Sequence, residues 1–134
     1  MVDGFQGYDQ YSPDLAAVLL EDSWVLGIEH ATADLVFELE ALLTPDHGEY
    51  QAPPPNEWAC FRRARLTVSS DHPITLIRPE ALPTVDPDGT ADYGNIDLFH
   101  VVSQDPDGTL TWEIVGDWGH AVVADPAASL VVCR

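Results

Sequence analysis

At 134 residues, with 46% apolar residues and four each of Trp, Tyr and Phe, the chain has the composition of one folded domain with its own core. Its charge is lopsided: 23 Asp and Glu against five Arg and no Lys, a formal net charge of −18. Such a field repels nucleic acid and anionic lipid surfaces, favours basic partners or cations, and keeps a protein soluble; without lysine there is no P-loop, Schiff base or Ser-Lys dyad.

Residues 1–11 are polar, with Gly4 and Gly7, and read as a flexible N-terminal arm. They lack a positive n-region and an apolar h-region, so a cytoplasmic protein is expected. Ser12-Pro13-Asp14 has the chemistry of a helix start: a cap, a proline where no N–H is needed, and an acid at the positive end of the dipole. With Leu15, Val18 and Leu19 on one face, a short helix to about Glu21 is predicted. The run Leu15–Leu20 is too short to span a membrane.

From Trp24 the pattern turns to period two. Trp24–His30 reads as a strand with a bulge at Gly27, and Asp34–Leu43 as a cleaner one with Leu35, Phe37, Leu39 and Ala41 inward and Glu38 and Glu40 outward. Four prolines and a glycine make residues 44–57 a stiff surface connection. Glu57–Ser69 resumes strand character, with Trp58, Cys60, Ala64, Leu66 and Val68 on one face and Arg63 and Arg65 on the other. Antiparallel pairing with Asp34–Leu43 would set Arg63 and Arg65 across from Glu38 and Glu40, each opposite-charge pair contributing ~0.2–1 kcal/mol.

A short strand at 74–78 is followed by a second long connection over 79–92. Residues 95–102 and 109–115 then form a hairpin around Asp105-Pro106-Asp107-Gly108, a type I turn with Gly108 as its left-handed residue. Leu110, Trp112 and Ile114 point inward, with Trp112 at the centre of the core. Strands at 120–124 and 129–133 close the chain. About eight short strands and one short N-terminal helix predict a mainly β protein, an antiparallel β sandwich or rolled sheet filling residues 12–134, with an α+β roll as the alternative.

Motifs for chemistry are sparse. GxSxG, HExxH, GxGxxG and Cys-based zinc patterns are missing, and Cys60 and Cys133 read as two buried thiols, with a bridge between them as the alternative. Asp86, Asp88 and Asp92 have the spacing of a calcium loop, although the same Asp-Pro-Asp-Gly serves as a plain turn at 105–108. His30, His100 and His120 fall in strands and read as structural histidines. Tyr50, Trp58, Tyr93 and Trp118 lie at loops or strand ends, where aromatics anchor partners or plug the ends of a sandwich.

Three segments carry a resemblance: His47-x-x-Tyr50-x-x-Pro53-Pro54-x-x-Glu57-x-x-Cys60-Phe61-Arg62, Asp92-Tyr93-Gly94-Asn95-Ile96-Asp97-x-Phe99, and Gly116-Asp117-Trp118-Gly119. Together they resemble a family of small bacterial proteins of unknown function over residues 24–124, with Phe61 where that family carries tyrosine. The resemblance implies a bacterial single domain and no activity. It makes His47, Tyr50, Glu57, Arg62, Tyr93, Asp97, Asp117 and Trp118 the candidate binding residues, either as a structural network or as the lining of a cleft. Arg62 lies on the apolar face of its strand, where burial requires a partner. The expected function is a non-enzymatic module that binds a basic protein, immunity proteins being one analogue, with no cofactor; a small enzyme or ligand binder using the His/Glu/Asp group, or a calcium module, are the alternatives. The shared end of the hairpin, with Tyr93, Asp97, Asp117 and Trp118, is where a site is expected.

Overall fold

The computed structural model describes residues 7–8, 12–78, 84–85 and 91–133. Two four-stranded antiparallel sheets share one core. The first sheet is ordered β1 (Val18–Ala31), β2 (Asp34–Leu43), β3 (Cys60–Ser69), β10 (Ala127–Val132). The second is ordered β4 (Thr75–Ile77), β9 (Gly119–Ala124), β8 (Leu110–Gly116), β7 (Leu98–Gln104). A two-residue ladder, β5 (Thr84–Val85) with β6 (Ala91–Asp92), comes from the second long connection. The chain is mainly β, and among the described residues no helix is long and apolar enough to cross a membrane.

Alternation of side chains builds both inner faces. Leu35, Phe37, Leu39, Ala64, Leu66 and Val68 from the first sheet are fully buried, as are Val101, Trp112, Ile114, Ala121 and Val123 from the second. Trp112 is at 0% exposure and meets Phe99 edge-on at 5.5 Å. Gln104 and Leu110 bracket a hairpin closed as its turn chemistry predicts. Gly108 N–H donates to Asp105 O at 2.9 Å, Thr109 N–H donates to Asp107 Oδ1 at 3.0 Å, and Gly108 has φ 94°. The Thr109 N–H bond holds the Asp107 carboxyl below its ordinary pKa.

Register follows the charge pattern. β2 and β3 pair antiparallel with Glu38 opposite Arg65 and Glu40 opposite Arg63, and Arg65 Nε donates to Glu38 Oε1 at 2.7 Å. The pair is exposed, so its value lies in fixing register more than in stability.

The helix predicted from Ser12 to about Glu21 is a correction. Only Pro13–Leu15 coil, as one 3₁₀ turn, and β1 starts at Val18. The Val18-Leu19-Leu20 run reads equally as strand or helix, and pairing with β2 at Val18–Leu43 and Leu19–Leu42 decides it. Nor does Ser12 cap a helix. Its hydroxyl donates to Ala128 O at 3.1 Å, and Asp14 Oδ2 accepts from Leu130 N–H at 3.2 Å. Both bonds fall on the free edge of β10, so Ser12-Pro13-Asp14 shields an edge strand.

Of the segment expected as an arm, Gly7 and Tyr8 are described, and its remaining residues lie outside the described ones. Gly7 bridges to His100 on the edge of β7. The Tyr8 hydroxyl accepts from Leu20 N–H at 3.0 Å and donates to Glu21 at 2.7 Å, while its ring packs 6.0 Å from Phe99. Tyr8 thereby closes the seam between β1 and β7. Cys60 and Cys133 are free thiols; Cys60 is buried as expected, but Cys133 is exposed because β10 is an edge strand that ends there.

Candidate functional site

The end of the sandwich opposite the Asp105 turn is built around an irregularity in β1. Leu19 pairs with Leu42 and Trp24 with Glu40, so residues 20–23 bulge opposite Ala41 alone. Ser23, fully buried, stitches that bulge: its hydroxyl donates to Leu19 O at 2.7 Å and accepts from Leu42 N–H at 2.8 Å. The Ser23 carbonyl in turn accepts from Asn95 Nδ2 at 2.6 Å, and the Asn95 carbonyl accepts from Trp118 Nε1 at 3.1 Å. Backbone bonds between Val25 and the Tyr93–Gly94 segment, at 2.8 and 3.1 Å, cover the free edge of β1. This clasp ties the first sheet to the hairpin ends of the second.

Two of the resemblance segments owe their residues to the clasp. Gly116 has no room for a side chain: a methyl there would overlap the Asn95 carbonyl oxygen and the Trp118 indole nitrogen. Gly94, at φ 82°, packs so tightly on Asp117 that a Cβ would lie 2.8 Å from the Asp117 Cβ. Trp118, 1% exposed, packs edge-on against Phe37 at 4.9 Å. It plugs the end of the sandwich and is not open to a partner.

What the clasp leaves outside is charge. Asp97 and Asp117 both project into solvent. The Asp97 N–H donates to Val115 O at 2.8 Å, which opens the hairpin ladder and fixes the side chain beside β8. Partial burial, and secondarily the Asp117 carboxylate, hold Asp97 above its ordinary pKa. Among the described residues neither carboxylate belongs to an ion pair. Beside them the outer face of the second sheet carries a cross-strand row, Leu98–Val115–His120–Ile77, in which Leu98 is 45% and Ile77 60% exposed. His120 Nε2 lies 3.5 Å from Glu113 in the next row.

The other candidates gather elsewhere. Thr44, His47 and Tyr50 mark successive turns of the 44–57 connection, with His47 N–H donating to Thr44 O at 2.9 Å and Tyr50 N–H to His47 O at 3.0 Å. His47 Nδ1 accepts from Glu49 N–H at 3.0 Å, and Tyr50 packs half-buried on the core. Arg62 stands opposite buried Ala41, as its place on the inner face requires, and its Nη1 donates to Glu49 O at 3.2 Å. A carbonyl therefore meets the guanidinium where an acid was expected. Glu57 and Arg62 line a hollow of about 110 Å³ with Pro53, Pro54, Cys60 and Phe61; His47, Asp97 and Asp117 do not line it. Of the His/Glu/Asp set of the enzyme alternative, this hollow brings in Glu57 alone.

Of the calcium candidates, Asp86 and Asp88 lie outside the described residues and Asp92 ends β6. Among the described residues no three His, Cys, Asp or Glu are grouped to hold a metal. His30 behaves structurally, its Nε2–H donating to Ile74 O at 2.9 Å. Residues that matter and escaped sequence reasoning are Ser23 and the row Leu98–Val115–Ile77. A lone small polar residue inside Glu21-Asp22-Ser23-Trp24 carries no signal until the bulge is known. No protein family, curated protein or solved structure matches the chain.

Proposed function

We propose that the chain is a non-enzymatic, acidic interaction module that binds a basic protein in the bacterial cytoplasm, with Asp97, Asp117 and the adjoining Leu98–Ile77 row as its docking surface. The observation that carries this reading is a pair of exposed carboxylates, Asp97 and Asp117, close enough for the second to act on the first, without an ion pair among the described residues and beside exposed aliphatic side chains. Holding like charges together costs the free protein stability, and a lysine or arginine seated between them offsets that cost on binding. The overall charge of −18 adds long-range attraction for the same partner. A small acidic protein that neutralises a basic toxin is one concrete version, by analogy of size and charge.

The test is a pull-down from native lysate with wild type and with Asp97→Asn/Asp117→Asn, from about 0.05 to 0.5 M salt, a range that shortens the screening length several-fold. A basic protein should be held by wild type at low salt, released at high salt, and bound about tenfold more weakly by the double variant, equivalent to ~1.4 kcal/mol. A partner indifferent to both carboxylates, or no salt-sensitive partner at all, would sink the proposal.

A further inference from the structure

The outer face of the first sheet carries a different pattern. Its cross-strand rows read Trp24–Glu40–Arg63 and Gly27–Glu38–Arg65–Val131. The acids stand on β2 and the arginines on β3, side by side along two rows. Among the described residues, three of the five exposed large hydrophobics belong here: Trp24 at 42%, Val131 at 64%, and Trp58 at 76%, the last packed edge-on against outward-facing Phe61 at 5.5 Å. Tryptophan and arginine are the residue types that dominate interface energetics.

We infer that this face is the contact through which two copies of the chain associate. A molecule of charge −18 repels itself through almost any patch, but long-range repulsion is screened beyond ~8 Å at physiological salt, so the local pattern decides. In these two rows Glu38 and Glu40 of β2 are balanced by Arg63 and Arg65 of β3, and the other acids of the face, Glu29 and Asp34, stand in rows nearer the β1–β2 turn. The pattern also selects the symmetry. A twofold axis parallel to the strands, passing between β2 and β3, lays β2 of one copy over β3 of the other, so Glu40 meets the second copy's Arg63 and Glu38 its Arg65. The same operation brings Trp24 over the end of β10 of the second copy, one row from the exposed Val131, which itself lies over Gly27. A twofold axis across the strands would stack β2 on β2, acid on acid. Face-to-face sheets keep their strands within about 30° of alignment, which suits the first arrangement.

Four strands spaced ~4.8 Å apart, with about ten residues of ~3.3 Å each, offer on the order of 600 Å² per copy. A standard interface buries ~800 Å² per partner, so the dimer is reversible and not obligate. The surface lies on the opposite sheet from Asp97 and Asp117, so either one stands or falls alone.

The experiment is sedimentation equilibrium of the full chain with reductant, from about 1 µM to 1 mM, the range of weak association. Wild type should pass from monomer to twice the mass. Arg63→Glu/Arg65→Glu should stay monomeric, as should Glu38→Arg/Glu40→Arg, and an equimolar mixture of the two should double in mass, because every facing pair is then opposite in sign. A wild type that stays monomeric overturns the inference, and so does a charge variant that still dimerises or a mixture that stays monomeric. Should either charge variant unfold, Val131→Asp reads the same surface: self-association weakened at least tenfold supports the dimer, and an unchanged association constant overturns it.

Discussion

Ser23→Ala is the sharpest test of how the two sheets are joined. Ser23 is fully buried, and its hydroxyl bonds two backbone groups, donating to Leu19 O at 2.7 Å and accepting from Leu42 N–H at 2.8 Å. Alanine removes a single oxygen, so the lost packing is small and the hydrogen bonds dominate. A buried donor left without a partner costs about 1–3 kcal/mol, more than the ~1 kcal/mol net worth of an ordinary hydrogen bond. In a domain of this size each kcal/mol moves the melting temperature by roughly 4 °C, giving a loss of about 4–12 °C. Urea and thermal unfolding followed by tryptophan fluorescence measure it, with Ser129→Ala on the exposed face of β10 as a control expected within ~0.5 kcal/mol. If Ser23→Ala behaves like the control, the bulge does not depend on this side chain and the clasp as described is wrong.

Other perturbations reach neighbouring parts of the same argument. Gly116→Ala forces a methyl into the Asn95 carbonyl and the Trp118 indole, and should cost about 1–3 kcal/mol or more in chemical denaturation; an unchanged midpoint would show that the contact gives way freely. Trp112→Ala, at the centre of the core, should cost about 3–5 kcal/mol by the same measurement. Asp97→Asn carries a sign that pH reveals. Because the folded state raises the Asp97 pKa, wild type loses stability as pH rises from the ordinary carboxylate value through the folded one. The variant should therefore be slightly more stable at pH 7, within ~0.5 kcal/mol for so exposed a group, with the gap closing at lower pH; a variant less stable at pH 7 contradicts the assignment. Ser12→Ala/Asp14→Ala strips the shield from the β10 edge, so aggregation on prolonged heating should quicken well before the melting temperature falls. Light scattering follows it, and unaltered aggregation would remove the protective role.

Much of the fold was legible because period two is a strong signal where one face is buried. Asp34–Leu43 matched its strand from end to end, and the charges at Glu38, Glu40, Arg63 and Arg65 specified a register that the sheet adopts. The Asp105–Gly108 turn was readable because proline fixes its own φ and glycine takes the positive φ that closes the turn. Reasoning failed at Ser12–Glu21, where local capping chemistry mimicked a helix and long-range pairing with β2 prevailed. The candidate site was half legible. That the hairpin ends meet follows from pairing alone, but Trp118, exposed-looking at a bend, is buried because the Ser23 bulge and Asn95 draw it inward. A bulge of residues 20–23 leaves no trace in composition, so what rests on it could not be foreseen.

The measurement that bears most directly on the proposed function is amide chemical-shift mapping of the full chain titrated with a short peptide alternating lysine or arginine with leucine. Binding at the docking surface predicts shifts concentrated at Asp97, Leu98, Val115 to His120 and Ile77, diminished in Asp97→Asn/Asp117→Asn and quenched by salt. Shifts spread over the surface wherever acids occur, and unaltered in the double variant, would mean that the negative charge is a general solvating coat and that this end of the sandwich holds no site.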